Sequence, residues 1–201
     1  MKVPLILFAL LFSFSLVAKD ISELLSFSSF AEDISDFEIE GMSIGDSLLD
    51  YLSIKEIHNN IVKDGKKFIQ IFLLSEIYNS ITIMYMKNDN KYLIHEISGR
   101  TSYANISDCY KEQKKITNSI SQILDNISDK DDRGKKKYRG DETNESTISI
   151  VNFYLYSSGV IHTGCYDFSD SFSKINNVPD FMNISLGSEE FMIWQKEEAF
   201  K

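Results

Sequence analysis

The chain has 201 residues, with 21 Lys and Arg against 30 Asp and Glu, 3 His, 2 Cys and a formal net charge of -9. That length can bury a core as one sizeable domain or two small ones. The acidity argues against nucleic acid or anionic lipid as partner, because binding either rests on neutralising phosphates with clustered Lys and Arg.

The first eighteen residues, MKVPLILFALLFSFSLVA, set one cation, Lys2, ahead of an apolar run from Val3 to Val17; a small Ala18 then precedes Lys19 and Asp20. This is the layout of a secretory signal peptide cleaved after Ala18. The run is too short to span a bilayer, which needs about 20 apolar residues. We therefore expect a mature chain of residues 19–201 with no membrane span after cleavage. Losing Lys2 brings its net charge to -10. The Ile-, Lys- and Asn-rich, Pro-poor composition is that of AT-rich bacterial genomes, which makes the periplasm the expected address, with secretion as the other.

After a short stretch ISELLSFSSFAED, residues 37–40 alternate apolar and acidic side chains as a half-buried strand does. Gly41 and Gly45 punctuate a turn, and Asp46 and Ser47 can start a helix. Ser53 and Glu56 form a capping box for a helical stretch to about Val62. KFIQIFLL is strand-like, and NSITIMYMKNDNKYLIHEISG reads as a hairpin turning at KNDNK.

Residues 105–128 change period. Cys109, Ile116, Ile120, Ile123, Leu124 and Ile127 recur on one helical face, with Asn105 as cap and Asp108 in the first turn. A charged loop is expected over 129–146, where RGKKKYR lies between DKDD and GDETNE, so its charges are compensated locally. STISIVNFYLYSSGVIHTGCYDF is a second hairpin, turning at 157–159. DFMNISL is a last strand, and SEEFMIWQKEEAF a C-terminal helix capped by Ser188. The fold class expected is α+β, antiparallel hairpins with helices packed on one face. Each half, 37–103 and 104–201, reads helix and then about three strands, a pseudo-repeat.

DFEIEGMSIGDSLLDY, DCYKEQKKI and CYDFSD, with the spacing between them, resemble a group of small exported proteins of AT-rich marine bacteria. The resemblance covers most of the mature chain and implies export without naming an activity. The turn IEGMSIGDS is also similar to the helix-and-sheet envelope domains of outer-membrane assembly lipoproteins and β-lactamase-inhibitor-like proteins. This chain has no cysteine near the cleavage point to accept a lipid.

The densest chemistry is SSGVIHTGCYDFSD, residues 157–170. A cysteine nucleophile needs a base within hydrogen-bond reach. In a strand, however, His162 and Cys165 point to opposite faces. The same geometry splits them as metal ligands, and structural zinc wants four. DKDDRG at 129–134 starts like a calcium loop, but Arg133 takes the third ligand position and Gly140 the twelfth. Two cysteines in an exported chain favour a Cys109–Cys165 disulfide. Asp167 and Asp170 with Glu197 and Glu198 are paired carboxylates of unknown separation, His58 is expected at a helix surface, and HEI at 95–97 is not H-E-x-x-H. Phe153, Tyr154, Tyr156, Tyr166 and Trp194 are expected in the core. No catalytic, cofactor or metal residues are assigned. The reading favours a non-enzymatic envelope protein that binds or scaffolds a protein or small-molecule partner. An envelope hydrolase using carboxylate or histidine groups is the alternative.

Overall fold

The structure, a computed structural model, describes residues 26–27, 33–124, 128–156 and 159–198. The expected signal peptide, most of the stretch that follows it, Ile127 and the turn residues 157 and 158 lie outside them. A two-residue strand β1, Ser26–Phe27, pairs with β2, Phe37–Glu38. Short 3-10 turns follow Asp33 and Ser47, each capped by that side chain. Helix α1 is Ile54–Asn59, with both arms of the Ser53–Glu56 capping box in place. It stops short of Val62 because Asn60 bonds back to Glu56 and Ile57, freeing Ile61 to start β3, Ile61–Asp64.

Three longer strands follow, β4 (Phe68–Leu74), β5 (Ser80–Met86) and β6 (Ile94–Ser102). Helix α2, Ile106–Ile123, then leads to β7 (Ser128–Lys137), β8 (Thr147–Leu155) and β9 (Gly159–Asp167). The chain ends with α3 (Asp170–Asn176), β10 (Phe181–Ser188) and α4 (Glu189–Glu197). Eight strands form one antiparallel sheet in the order β3-β4-β5-β6-β10-β9-β8-β7, two four-stranded meanders joined where β6 meets β10. Each half therefore supplies four strands where the sequence suggested about three, and sheet outweighs helix.

One face of this sheet is closed. Ile71, Ile81, Ile83, Ile97, Ile161, Ile184 and Leu186 are all at most 1% exposed there. They share a core with Ile57 of α1 and with Ile34, Phe37, Ile39 and Leu48 of the N-terminal segment. Helix α2 contributes Cys109, Gln113, Ile116, Thr117 and Ile120 as its buried stripe, the spacing of one helix face. Gln113 satisfies its buried amide by donating to the carbonyls of Ser149 and Thr163. Cys109 and Cys165 are paired in a disulfide with Cα atoms 6.0 Å apart, tying α2 to β9. That distance falls in the range of about 4.4–6.8 Å that disulfides span.

Two expectations are corrected here. The charged segment 129–146 is half strand: Ser128–Lys137 pairs along β8 as the last strand of the sheet. Its side chains are almost all exposed, so no alternation marks it. An edge strand needs only its backbone partner, and charges on it discourage pairing with other chains. The remaining connection, 138–146, is pinned by Asp141, which accepts from Ser146 N and Oγ at 3.0 and 2.6 Å and from Thr143 N at 2.9 Å. Nor do the helices share one face. α2 covers the closed face, whereas α3 and α4 each lay aromatic side chains on the other, as described next.

Candidate functional site: the open face of the sheet

Because side chains alternate along a strand, the ladder registers state which residues stand side by side on the second face. One row crosses seven strands: Phe72, Thr82, Ser98, Ser185, His162, Asn152 and Asp131. Next to it runs Leu74, Ser80, Arg100, Asn183, Gly164 and Ile150. On the other side lie Gln70, Met84, Glu96, Gly187, Val160 and Tyr154. At about 4.8 Å per strand the first row is a lane roughly 29 Å long. Its centre is floored by small polar side chains that are neither buried nor fully exposed.

Aromatic walls stand at both strand ends of this lane. At one end the Phe68 ring lies 5.5 Å from Phe191 and 5.0 Å from Trp194, both on α4. Gly187 lies under this wall, where a Cβ would lie 3.4 Å from Phe191 and 3.3 Å from Val160. At the other end Tyr166 stacks on Phe181 at 4.4 Å, and Phe168 on Phe172 of α3 at 4.9 Å. Tyr138 closes the corner, 5.3 Å from Phe168.

Three polar groups on the floor have perturbed chemistry. His162 Nδ1 is 2.8 Å from Asn152 Oδ1, and Asn152 Nδ2 donates to Tyr154 Oη at 3.1 Å. With the amide so oriented, Nδ1 carries the proton and Nε2 is a free acceptor. Nε2 tips over Gly164, where a Cβ would sit 3.0 Å away. Burial, and then the Arg133 charge, pull the imidazole down to about 4, so it is neutral at pH 7. Arg133 reaches this face through a β-bulge between Asp132 and Gly134, and is held by Asp131 at 2.5 Å.

Glu96 sits beside Gly187 at the foot of the α4 wall. Burial raises its carboxyl to about 8 against the opposing hydrogen bond with Ser98, so it too is uncharged at pH 7. A second bulge, between Met84 and Tyr85 on one strand and Ile94 to Glu96 on the other, turns His95 to the same end, 5.5 Å from the Phe68 ring. Arg100 lays its guanidinium 4.1 Å over the Phe181 ring.

The structure separates most of the residues singled out from sequence. His162 faces the lane, while Cys165 faces the core and is bonded to Cys109. Asp167 takes Lys135 Nζ at 2.7 Å and the Tyr110 and Thr147 hydroxyls at 3.1 Å, all on the closed side. Asp170 opens α3, and Glu197 and Glu198 are exposed where α4 ends. His58 is exposed on α1. In the calcium-like stretch Asp129 accepts from Tyr156, Asp131 binds Arg133, and Asp132 accepts from Gly134 N at 3.0 Å. Among the described residues no group of three or more His, Cys, Asp or Glu gathers as metal ligands. Of the aromatic residues expected in the core, only Phe153 is there. Tyr154, Tyr166 and Trp194 belong to the open face, and Tyr156 is 69% exposed. Aromatic content alone could not separate core from wall.

Sequence reasoning passed over Glu96, Ser98, Arg100, Asn183 and Ser185. The signal was present: IHEISGRTS and FMNISLGS alternate apolar with polar, and the polar half is the floor. Beside the lane, Met86, Lys87, Asp89, Leu93, His95 and Glu190 line a recess of about 390 Å³. Glu190 there is already paired to Lys67 at 3.2 Å. No described helix is long and apolar enough to cross a membrane. No family model, curated protein or solved structure matches the chain.

Proposed function

We propose that this is an exported, non-enzymatic binding protein that receives its partner on the open face of the sheet. The carrying observation is the row across seven strands, polar on the six from Thr82 to Asp131, between two aromatic walls. An antiparallel sheet can leave one face solvated. Here, however, aromatics from two separate helices bound that face at both ends, and a bounded surface with a few placed polar groups is suited to receive a partner.

Acid–base catalysis is the weaker reading. Glu96 and His162 stand two strands and one row apart, about 12 Å at standard sheet spacings, too far to act on one proton. Both are uncharged at neutral pH for reasons of burial, with no opposite charge poised against either. The two meanders, each preceded by a helix, support reading the chain as two units of one kind that share a sheet. The disulfide and the N-terminal layout support export with removal of residues 1–18, for which an intact mass starting at Met1 on periplasmic protein would be the refuting result.

Replacing Asn183 or Ser185 by a photo-crosslinking amino acid in the exporting cell tests the binding reading directly. Discrete covalent adducts are expected at both positions and not at Lys111, which is exposed on α2 on the far side. Adducts absent at the floor, or equal at all three positions, would remove it.

A further inference from the structure

We propose that Arg100 anchors the partner by taking a carboxylate, the side chain of an Asp or Glu on an extended polypeptide segment laid across the lane. This rests on the binding reading above and adds the chemistry that selects the partner. Among the described residues Arg100 has no ion-pair partner. Arg133, the other arginine on this face, is held by Asp131, and Lys67 near the α4 wall by Glu190. Among the described residues no carboxylate forms an ion pair with Arg100, in a chain where acids outnumber bases by 30 to 21. Its row neighbours are Ser80 and Asn183, which are uncharged. The nearest acid on the floor, Glu96, is protonated at neutral pH and cannot neutralise it.

The guanidinium is also held in place. Its central carbon lies 4.1 Å from the Phe181 ring centroid, and that ring is itself stacked on Tyr166, so the cation rests on an aromatic surface with N–H groups left to bind. A planar fork of donors seated in this way matches a carboxylate in bidentate geometry. Although the residue is exposed, partial desolvation holds its pKa below that of a free arginine.

The same features select a peptide over other anions. A polyanion needs many cations, and one arginine in a protein of this charge cannot hold nucleic acid. A sugar acid would need a bare aromatic platform beside the arginine, but Phe181 is occupied by Tyr166 and Arg100, and the exposed Phe72 ring stands two strands and one row away. A lane of roughly 29 Å with hydroxyl and amide groups spaced along it suits about nine extended residues.

The test uses a phage-displayed random dodecapeptide library panned against the disulfide-bonded mature chain. Wild type, Arg100→Gln, Arg100→Lys and the floor-blocking Ser185→Arg are panned in parallel, each first shown by thermal unfolding to be folded. Wild type should enrich peptides with an Asp or Glu at one fixed position. For a chosen peptide, changing that acid to its amide should weaken binding about tenfold. Arg100→Gln should weaken it by the same factor, and the two changes together should cost no more than either alone. Arg100→Lys should fall between, since it keeps the charge and loses the fork. Enriched peptides that lose binding to Ser185→Arg but are indifferent to their acid would overturn the carboxylate anchor and leave the binding face standing. No enrichment, or peptides untouched by Ser185→Arg, would overturn both.

Discussion

The closed and open faces of the sheet come from the same strands, one residue out of phase, and they use polar groups in opposite ways. On the closed face the polar groups serve the fold. Gln113 bridges two strand carbonyls, and Asp167 ties β9 to Lys135, Tyr110 and Thr147. On the open face, Glu96 and His162 are held neutral by burial, which costs stability and is not needed to form a sheet. Groups that oppose folding and still stand on one surface are the energetic support for the binding reading proposed above.

The sharpest way to break this comparison is at the staple of the closed face. Replacing Cys109 and Cys165 together by Ser opens a loop with a sequence separation of 56. In the chain-entropy account that costs about 4 kcal/mol, read from urea unfolding of the variant against wild type. A loss below about 1 kcal/mol would show that α2 holds the closed face without the bond. Deleting core volume should come close behind: Ile184→Ala, fully buried opposite α2, is expected to cost about 3 kcal/mol.

The next prediction sits on the open face and has the reverse sign. Glu96 has a raised folded pKa, so the folded state binds its proton more tightly than the unfolded chain does. Its contribution is complete below about pH 4.5 and is lost as pH rises towards about 8. His162 is depressed from 6.5 to about 4, so the unfolded chain binds the proton more readily and stability rises with pH across that interval. The two oppose each other in mildly acidic solution, and above pH 6.5 only Glu96 still titrates. Between pH 6.5 and 8 the wild type should therefore lose on the order of 2 kcal/mol, and Glu96→Gln should abolish that slope. Denaturant midpoints at the two pH values decide it. A wild-type profile as flat as that of the variant would mean that Glu96 is solvated and the open face carries no strain.

Much of this organisation could be read from sequence, wherever one residue class dominated a period. The α2 stripe at Cys109, Ile116, Ile120 and Leu124, its Asn105 cap, the Ser53–Glu56 box and the two hairpins appear where periodicity and capping put them. The disulfide followed from counting cysteines and placing both inward. Beyond the two-residue β1, three elements escaped, each for a physical reason. β3 has four residues and a bulge at Val62, too short for alternation. β7 is an edge whose side chains all reach solvent. α3 is a two-turn helix with no buried residue. The site escaped in a different way. In sequence His162 stands out for its neighbour Cys165, whereas the residues beside it in the fold, Asn152 and Ser185, come from the adjoining strands. A row across a sheet is assembled by register, and register is set by the whole fold.

The smallest expected effect probes the lane itself. If its floor serves a partner and not the fold, substitutions that suit a strand should pass unnoticed by stability. Asn183 and Ser185 lie on the central strand β10, part-exposed, while their alternating neighbours Ile184 and Leu186 are fully buried. Threonine is a better strand former than either asparagine or serine, and at a half-exposed position its methyl group meets little resistance. Asn183→Thr and Ser185→Thr should each stay within about 0.5 kcal/mol of wild type in urea unfolding. Peptide capture by either variant, and crosslinking from whichever of the two positions is left unchanged to carry the probe, should fall, because the added methyl group raises the floor where the partner's backbone must lie. The two readouts are therefore expected to separate. If either substitution costs more than about 1.5 kcal/mol, the lane is holding the two meanders together at the β6–β10 seam, and the difference between the faces is one of packing alone.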